Sequence, residues 1–376
     1  MLVIHLRNVG FKEVGVDLAE RVFLVGPNAS GKSNFLDALR FLRDIALPGG
    51  SLQKASSDRS SVSKIRCLAA HKNSEVAIVV ELARSGKRLW RYEIAFIQDH
   101  KHKPLVTREI VHKGDRVVIK RPDKKDARDP LRLSQTALEQ ISENRHFREI
   151  ARFFDGISYL HLVPQIIRAP GSLSENGGAL DAYGHDFLGR VAKTPEKTRN
   201  NRLKRIRDAL ITAIPQLQEL KLETDARGVF HLIEFFEQWR PQAGKQNEEQ
   251  FSDGMLRLLG LLWALQEGDG PLLLEEPELS LHAGVVRRLA RLIYRAQKAR
   301  KRQVLISTHS IDLLSDPGIG GEEILMLNPG LEGTKVIPAA EIAEIHALLE
   351  AGMSVAEAVF PHTEPEKASE LEQLIL

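Results

Sequence analysis

The chain has 376 residues, 43% of them hydrophobic and 27% charged, with a formal net charge of +3. That balance suits a soluble globular protein of two or three domains and is too mildly basic to argue for nucleic acid by itself. A single cysteine, Cys67, excludes a disulfide framework and a cysteine-rich zinc site. No apolar run approaches the roughly 20 residues of a membrane span, and the start MLVIHLRNVGF lacks a secretion-signal pattern, so the cytoplasm is the expected location and no membrane partner is expected.

In chain order, residues 1–25 predict short strands: Leu2, Ile4 and Leu6 alternate, then comes Val14-Gly15-Val16, then the apolar run Val22 to Val25. A glycine-rich turn follows. The helical spacing of Phe35, Leu36, Leu39 and Leu42 predicts a helix over Lys32–Asp44, ended by Pro48-Gly49-Gly50. The serine-rich, charged residues 50–66 predict a mobile loop. VAIVVEL, RYEIAFI, LVTREIV and RVVIKR predict an antiparallel sheet between Val76 and Arg121. Residues 120–132 predict an exposed, mixed-charge segment. A helical stretch to Phe154 and a strand over Ile157–Val163 come next.

Residues 170–217 predict a small helical lobe that opens with PGSLSENGG. Strands near Glu219–Glu223 and Phe230–Phe235 lead to the polar loop QAGKQNEEQFSDG. Beyond it come the helix Met255–Leu265, the strand Pro271–Leu274, a basic helix over Val286–Arg300, the strand Gln303–Ser307 and an amphipathic helix near Ala339–Ala351. The cluster Arg287 to Arg302 is expected on the outer face of its helix. No internal repeat and no sustained heptad pattern is present.

Gly26-Pro27-Asn28-Ala29-Ser30-Gly31-Lys32-Ser33 matches GxxxxGK[ST] in full, with an apolar strand before it and the amphipathic helix after it, and Asn34 joins these residues as a nucleotide-binding candidate. The glycines let successive N–H groups turn around phosphate oxygens at the start of that helix. Lys32 is expected on the β- and γ-phosphates and the Ser33 hydroxyl on Mg²⁺.

Pro271-Leu272-Leu273-Leu274-Glu275-Glu276-Pro277-Glu278 is an apolar strand ending in carboxylates, where water and a cation can reach them. Glu275 is expected toward Mg²⁺ and Glu276 at the attacking water as general base. Ser252-Asp253-Gly254 opens a helix; serine there is also an ordinary N-cap, but the trio could close over a phosphate held by a second subunit. His309, in Ile306-Ser307-Thr308-His309-Ser310, is expected to sense the γ-phosphate. Gln165, after SYLHLVP, could reach the metal or the water, with Gln53 as the alternative.

Together these segments resemble the ABC-type ATPase set. GPNASGKS resembles the Walker A motif, FSDG the signature, LLLEEPE the Walker B, LSLH the D-loop and STHS the H-loop, while VPQ is similar to the Q-loop. Within that class IHLRNVGF…VFLVGPNASGKSN and EEPELSLH resemble RecF/SMC-like and OLD-family (overcoming lysogenization defect) ATPases. Glu275 departs from the usual aspartate. The segment after Ser310 is too short for the Toprim nuclease domain of OLD proteins, and the interior lacks the heptads of a long SMC arm.

The resemblance implies an α/β, ABC-type P-loop head of mixed sheet and antiparallel β subdomain, with a small inserted helical lobe. Its divisions are residues 1–165, 166–217 and 218–376. It further implies ATP and Mg²⁺ as ligands, an ATP-induced homodimer, and hydrolysis coupled to DNA repair or defence against foreign DNA, directly or through a partner nuclease. Lys193, Lys197, Arg199, Arg202, Lys204, Arg205 and Arg207 are the candidate DNA contacts, a solvated helix face being the plainer account. A nucleotide-gated scaffold switching another effector shares every motif. A transporter subunit fits poorly with the inserted sheet.

Overall fold

The structure, a computed structural model, describes residues 2–67, 69, 74–84, 87–168, 183–215, 217–235, 245–331 and 333–364. The alternating start folds as β1 (Leu2–Val9) and β2 (Phe11–Leu18). The apolar run becomes β3 (Arg21–Val25), buried along its whole length, as a strand covered on both faces must be. The glycine-rich turn leads into α1 (Lys32–Ala46), whose face Phe35, Leu36, Leu39 and Leu42 is buried.

Residues 50–66 are not a loop. They form α2 (Leu52–Ser57) and α3 (Val62–Ile65). Ser51 caps α2 by accepting the N–H of Lys54, Leu52 and Ala55 are buried, and Arg59 bridges Asp37 and Asp44 of α1 at 2.6 and 3.0 Å. The serines that suggested mobility serve as a cap and a turn instead.

The expected sheet is present as β4 (Val76–Arg84), β5 (Lys87–Gln98), β6 (Pro104–Lys113) and β7 (Arg116–Arg121), and it includes β1 and β2 in the order β2-β1-β4-β5-β6-β7. The mixed-charge segment after it is only partly exposed. Asp123 caps α4 (Lys124–Arg128), and this turns Asp126 inward to meet the buried Arg121 at 2.9 Å, beside Glu109 at 3.2 Å. The helical stretch reduces to turns followed by α5 (Arg148–Asp155), and the next strand to β8 (Ser158–Leu160).

After α6 (Pro164–Ile167), the expected lobe opening at 169–182 lies outside the described residues, as do residues 242–244 of the later polar loop, whose next three residues pair as a strand instead of staying a loop. The rest of the lobe is α7 (Phe187–Lys193) and α8 (Glu196–Ala213). Leu203, Ile206 and Leu210 of α8 join the core that also holds Trp263. Arg202 lies over the Trp263 ring at 5.3 Å and Arg199 donates to the Ala192 carbonyl at 3.1 Å, so two of the expected DNA contacts are spent on their own chain. A three-stranded sheet, β11-β10-β9, follows from β9 (Glu219–Thr224), β10 (Phe230–Phe235) and β11 (Lys245–Asn247).

The remaining elements are α9 (Asp253–Gln266), β12 (Leu272–Glu275), α10 (Ala283–Arg300), β13 (Val304–Thr308), α11 (Ile311–Leu314), β14 (Ile324–Asn328), β15 (Lys335–Pro338), α12 (Ala343–Glu350) and α13 (Val355–Val359). β14 is absent from the sequence reading, because four apolar residues have no period to betray them. Arg302, expected outside, is buried: it donates to the carbonyls of Ala264 and Glu267 at the end of α9.

The second large sheet has the order β15-β14-β3-β13-β12-β8, parallel except for β15. Alternate residues divide the core between its faces. Phe23, Val25, Leu274 and Ile306 pack toward α9 and α10, while Val22, Leu24, Leu273 and Leu305 pack toward α1 and the antiparallel sheet. Among the described residues no helix is long and apolar enough to cross a membrane.

Candidate active site

Parallel strands with helices on their faces leave a crevice at their carboxyl ends. Here β3, β13 and β12 are neighbours, so the segments after Val25, Thr308 and Glu275 converge although they are far apart in sequence.

Two positions of the turn after β3 need their residues for steric reasons. A Cβ on Gly26 would sit 2.4 Å from the Leu327 carbonyl oxygen, and Gly31 has φ +97°, in the left-handed region. The turn, Gly26 through Ser33, wraps so that the Lys32 ammonium donates to the carbonyls of Gly26 and Pro27, both at 2.9 Å. Burial lowers the Lys32 pKa to about 8, against the opposing pull of Glu276 and Glu275.

The Ser33 hydroxyl donates to Glu275 Oε1 at 2.5 Å, joining the first turn of α1 to the end of β12. The other oxygen of Glu275 accepts from the hydroxyl of Tyr159, a buried residue of β8. Burial, then the neighbouring Glu275, raises the Tyr159 pKa, so this group stays a donor. Glu276 stands at φ +43°, a strained conformation for a side chain with a Cβ, and its N–H donates to Ser307 at 3.0 Å. That backbone places its carboxylate 3.4 Å from His309 Nε2. Burial, with Lys32 nearby, lowers the His309 pKa and favours the neutral imidazole, while Glu276 acts the other way.

Glu278 holds this edge together. It is buried, and it accepts from Thr308 Oγ1 at 2.5 Å and from the His309 N–H at 3.3 Å. Asn28, Ala29, Gly31, Lys32, Ser33, Asn34, Glu276, Ser307 and His309 line an open cavity of about 510 Å³. The cavity thus gathers Asn28, Ala29, Gly31, Lys32, Ser33 and Asn34 of the turn and first helical residues with Glu276 and His309, while Gly26 and Pro27 accept from Lys32 and Glu275 accepts from Ser33 beside it.

Ser252, Asp253, Gly254 and Gln165 are not in that lining. Ser252 caps α9 by accepting the Met255 N–H at 3.2 Å. Asp253 pairs with Arg168 at 2.5 Å and accepts from Gln165 at 3.1 Å. Gln165 therefore touches the trio after β11 rather than Ser33 or Glu275, and Gln53 lies exposed on α2. Tyr159 and Glu278 join the site without being among the residues the motifs single out. Tyr159 carries no sequence signal, since only the pairing of β8 with β12 brings it to Glu275.

A sequence model of one protein family matches residues 21–316, under the description "AAA domain, putative AbiEii toxin, Type IV TA system". The chain belongs to that family. This AAA domain shares its fold with a crystal structure of the SMC head bound to the C-winged helix domain of ScpA, at 14% identity and a TM-score of 0.52, over 89% of this chain and 96% of that one. The SMC head domain from Thermotoga maritima matches at 14% identity and a TM-score of 0.46, over 89% and 97% of the two chains. No curated protein sequence matches. The fold is thus that of an ABC-type P-loop ATPase head, with β1, β2 and β4–β7 as its antiparallel part.

Proposed function

We propose that the chain binds ATP with Mg²⁺ at Gly26–Asn34, hydrolyses it, and works as an ATP-clamped homodimer coupled to DNA repair or defence against foreign DNA. The observation that carries the reading is the meeting of Lys32, Ser33, Glu276 and His309 around one cavity from three separate strand ends, with Glu275 bonded to Ser33 at its edge. A hydroxyl and a carboxylate oxygen at 2.5 Å form the kind of hard-oxygen pair that suits Mg²⁺, which keeps its remaining positions for water and phosphate. The ion, when bound, neutralises charge on the phosphate oxygens. Lys32 would shift from the carbonyls of Gly26 and Pro27 to phosphate, a stronger, charge-assisted partner. Glu276 would accept a proton from water, and neutral His309 would donate to a phosphate oxygen at its side.

The family's description, naming a toxin of a type IV toxin–antitoxin system, supports a defence setting. The motif set supports ATP turnover coupled to a partner, whether nuclease or another effector. Paired variants test the chemistry. Lys32→Ala removes a phosphate contact and should weaken nucleotide binding. Glu276→Gln keeps shape and hydrogen bonding but removes the base, so ATP should stay bound while turnover falls by about a hundredfold or more. Wild-type turnover in Glu276→Gln would assign the base to another group.

A further inference from the structure

Helix α10 carries Arg287, Arg288, Arg291, Arg295, Lys298 and Arg300 and no acidic residue. Its other side, including Val286, Leu289 and Ile293, is buried in the core. Carboxylates from other elements reach only the margins: Asp312 meets Arg287 at 2.8 Å, Glu20 meets Lys298 at 2.6 Å, and Asp269 meets Arg300 at 3.0 Å. Between them Arg288, Arg291 and Arg295 are exposed and pair with no carboxylate among the described residues. Arg288 donates only to the Gly284 carbonyl of its own turn, at 2.7 Å.

At about 100° and 1.5 Å per residue, these three lie within an arc of about 60° and form a straight row about 10 Å long. Like charges at this spacing repel one another, and a polyanion relieves that repulsion. We propose that the row is a contact surface for the phosphodiester backbone of duplex DNA. The proposal rests on the DNA reading above and moves the contact from α8, where Arg199 and Arg202 are engaged, to α10. Arginine forks match phosphate oxygens in bidentate fashion. An acidic protein partner would need a desolvated apolar anchor beside the charges. The exposed aromatic ring of α10, Tyr294, is instead flanked by Arg21 at 5.0 Å and Lys298 at 5.5 Å.

The test is anisotropy of a labelled DNA duplex with the full chain, from about 50 to 200 mM salt. It compares wild type, Arg288→Ser/Arg291→Ser/Arg295→Ser on α10, and Lys197→Ser/Lys204→Ser/Arg205→Ser on α8. ATP turnover and thermal unfolding of each variant report that it is folded. The α10 variant should bind at least about tenfold more weakly, its salt slope reduced by about 0.9 per lost contact, while the α8 variant stays near wild type. If wild type binds and the α10 variant matches it in affinity and slope, the proposal fails and the DNA reading stands. Wild type that does not bind at the lowest salt overturns both. Polyglutamate bound as tightly as DNA, and lost in the same variant, would assign the row to an acidic protein and overturn the proposal.

Discussion

Glu275 is held at both oxygens, by Ser33 on one side and by Tyr159 on the other. Its chain is one methylene longer than the aspartate common in related motifs, so its carboxylate has one more torsion to wander in. The buried Tyr159 hydroxyl removes that freedom, and the Arg40 guanidinium, 5.1 Å from the tyrosine ring, steadies the ring from its face. Groups that orient a metal-binding carboxylate without touching the ion typically change metal affinity by about 10–100-fold when lost. Tyr159→Phe should therefore raise the Mn²⁺ or Mg²⁺ concentration needed for half-maximal cation binding by about tenfold, with ATP binding in excess cation near normal. A cation titration followed by electron paramagnetic resonance of Mn²⁺ reads this directly. An unchanged midpoint would mean that Tyr159 merely packs.

Among the elements, β10 has a buried carboxylate with a consequence for stability. Glu234 is 1% exposed, and burial raises its pKa to about 7 from an ordinary 4.5. The folded chain therefore keeps this proton over a range where the unfolded chain has released it. Stability should fall as pH rises from about 4.5 to 7, and above 7 the full penalty of a buried charge stands. Glu234→Gln carries no charge to bury. Thermal unfolding should show the variant more stable than wild type by several degrees at pH 8 and nearly equal to it at pH 5. Equal differences at the two pH values would rule out ionisation as the cause. The neighbouring helix pair teaches a related lesson: α8 is basic enough to suggest a DNA surface, yet its amphipathic side folds Arg202 against Trp263. Charge in a helix is legible from sequence, whereas its direction depends on what the helix packs against.

For the whole molecule, the unit of function is expected to be two copies. Ser252, Asp253 and Gly254 start α9 outside the cavity lining, with Asp253 held by Arg168 and Gln165 of the same chain. Under the proposed dimer, a phosphate contacted by this trio would belong to the second copy. Light scattering of Glu276→Gln should give a monomer without nucleotide and a dimer with Mg-ATP. A monomer in both conditions, with wild-type turnover independent of protein concentration, would leave the dimer without support.

By itself the sequence determined β3, β12 and β13, the antiparallel part and the residues of the cavity, because these depend on short-range rules. GxxxxGK[ST] needs only its own glycines and the following helix, and EEPE needs only a buried strand before it. What it left undecided was everything carried by adjacency. The order β3-β13-β12-β8 sets Glu275 beside Ser33 and Tyr159, and no local pattern encodes which parallel strand lies next to which. The same reason hid β14, whose few apolar residues become a strand only in the slot beside β3, and it hid the bond of Gln165 to Asp253, 88 residues away. It also hid the burial of Arg302, because helix-end carbonyls that can accept from a guanidinium exist only after α9 and β13 have packed together.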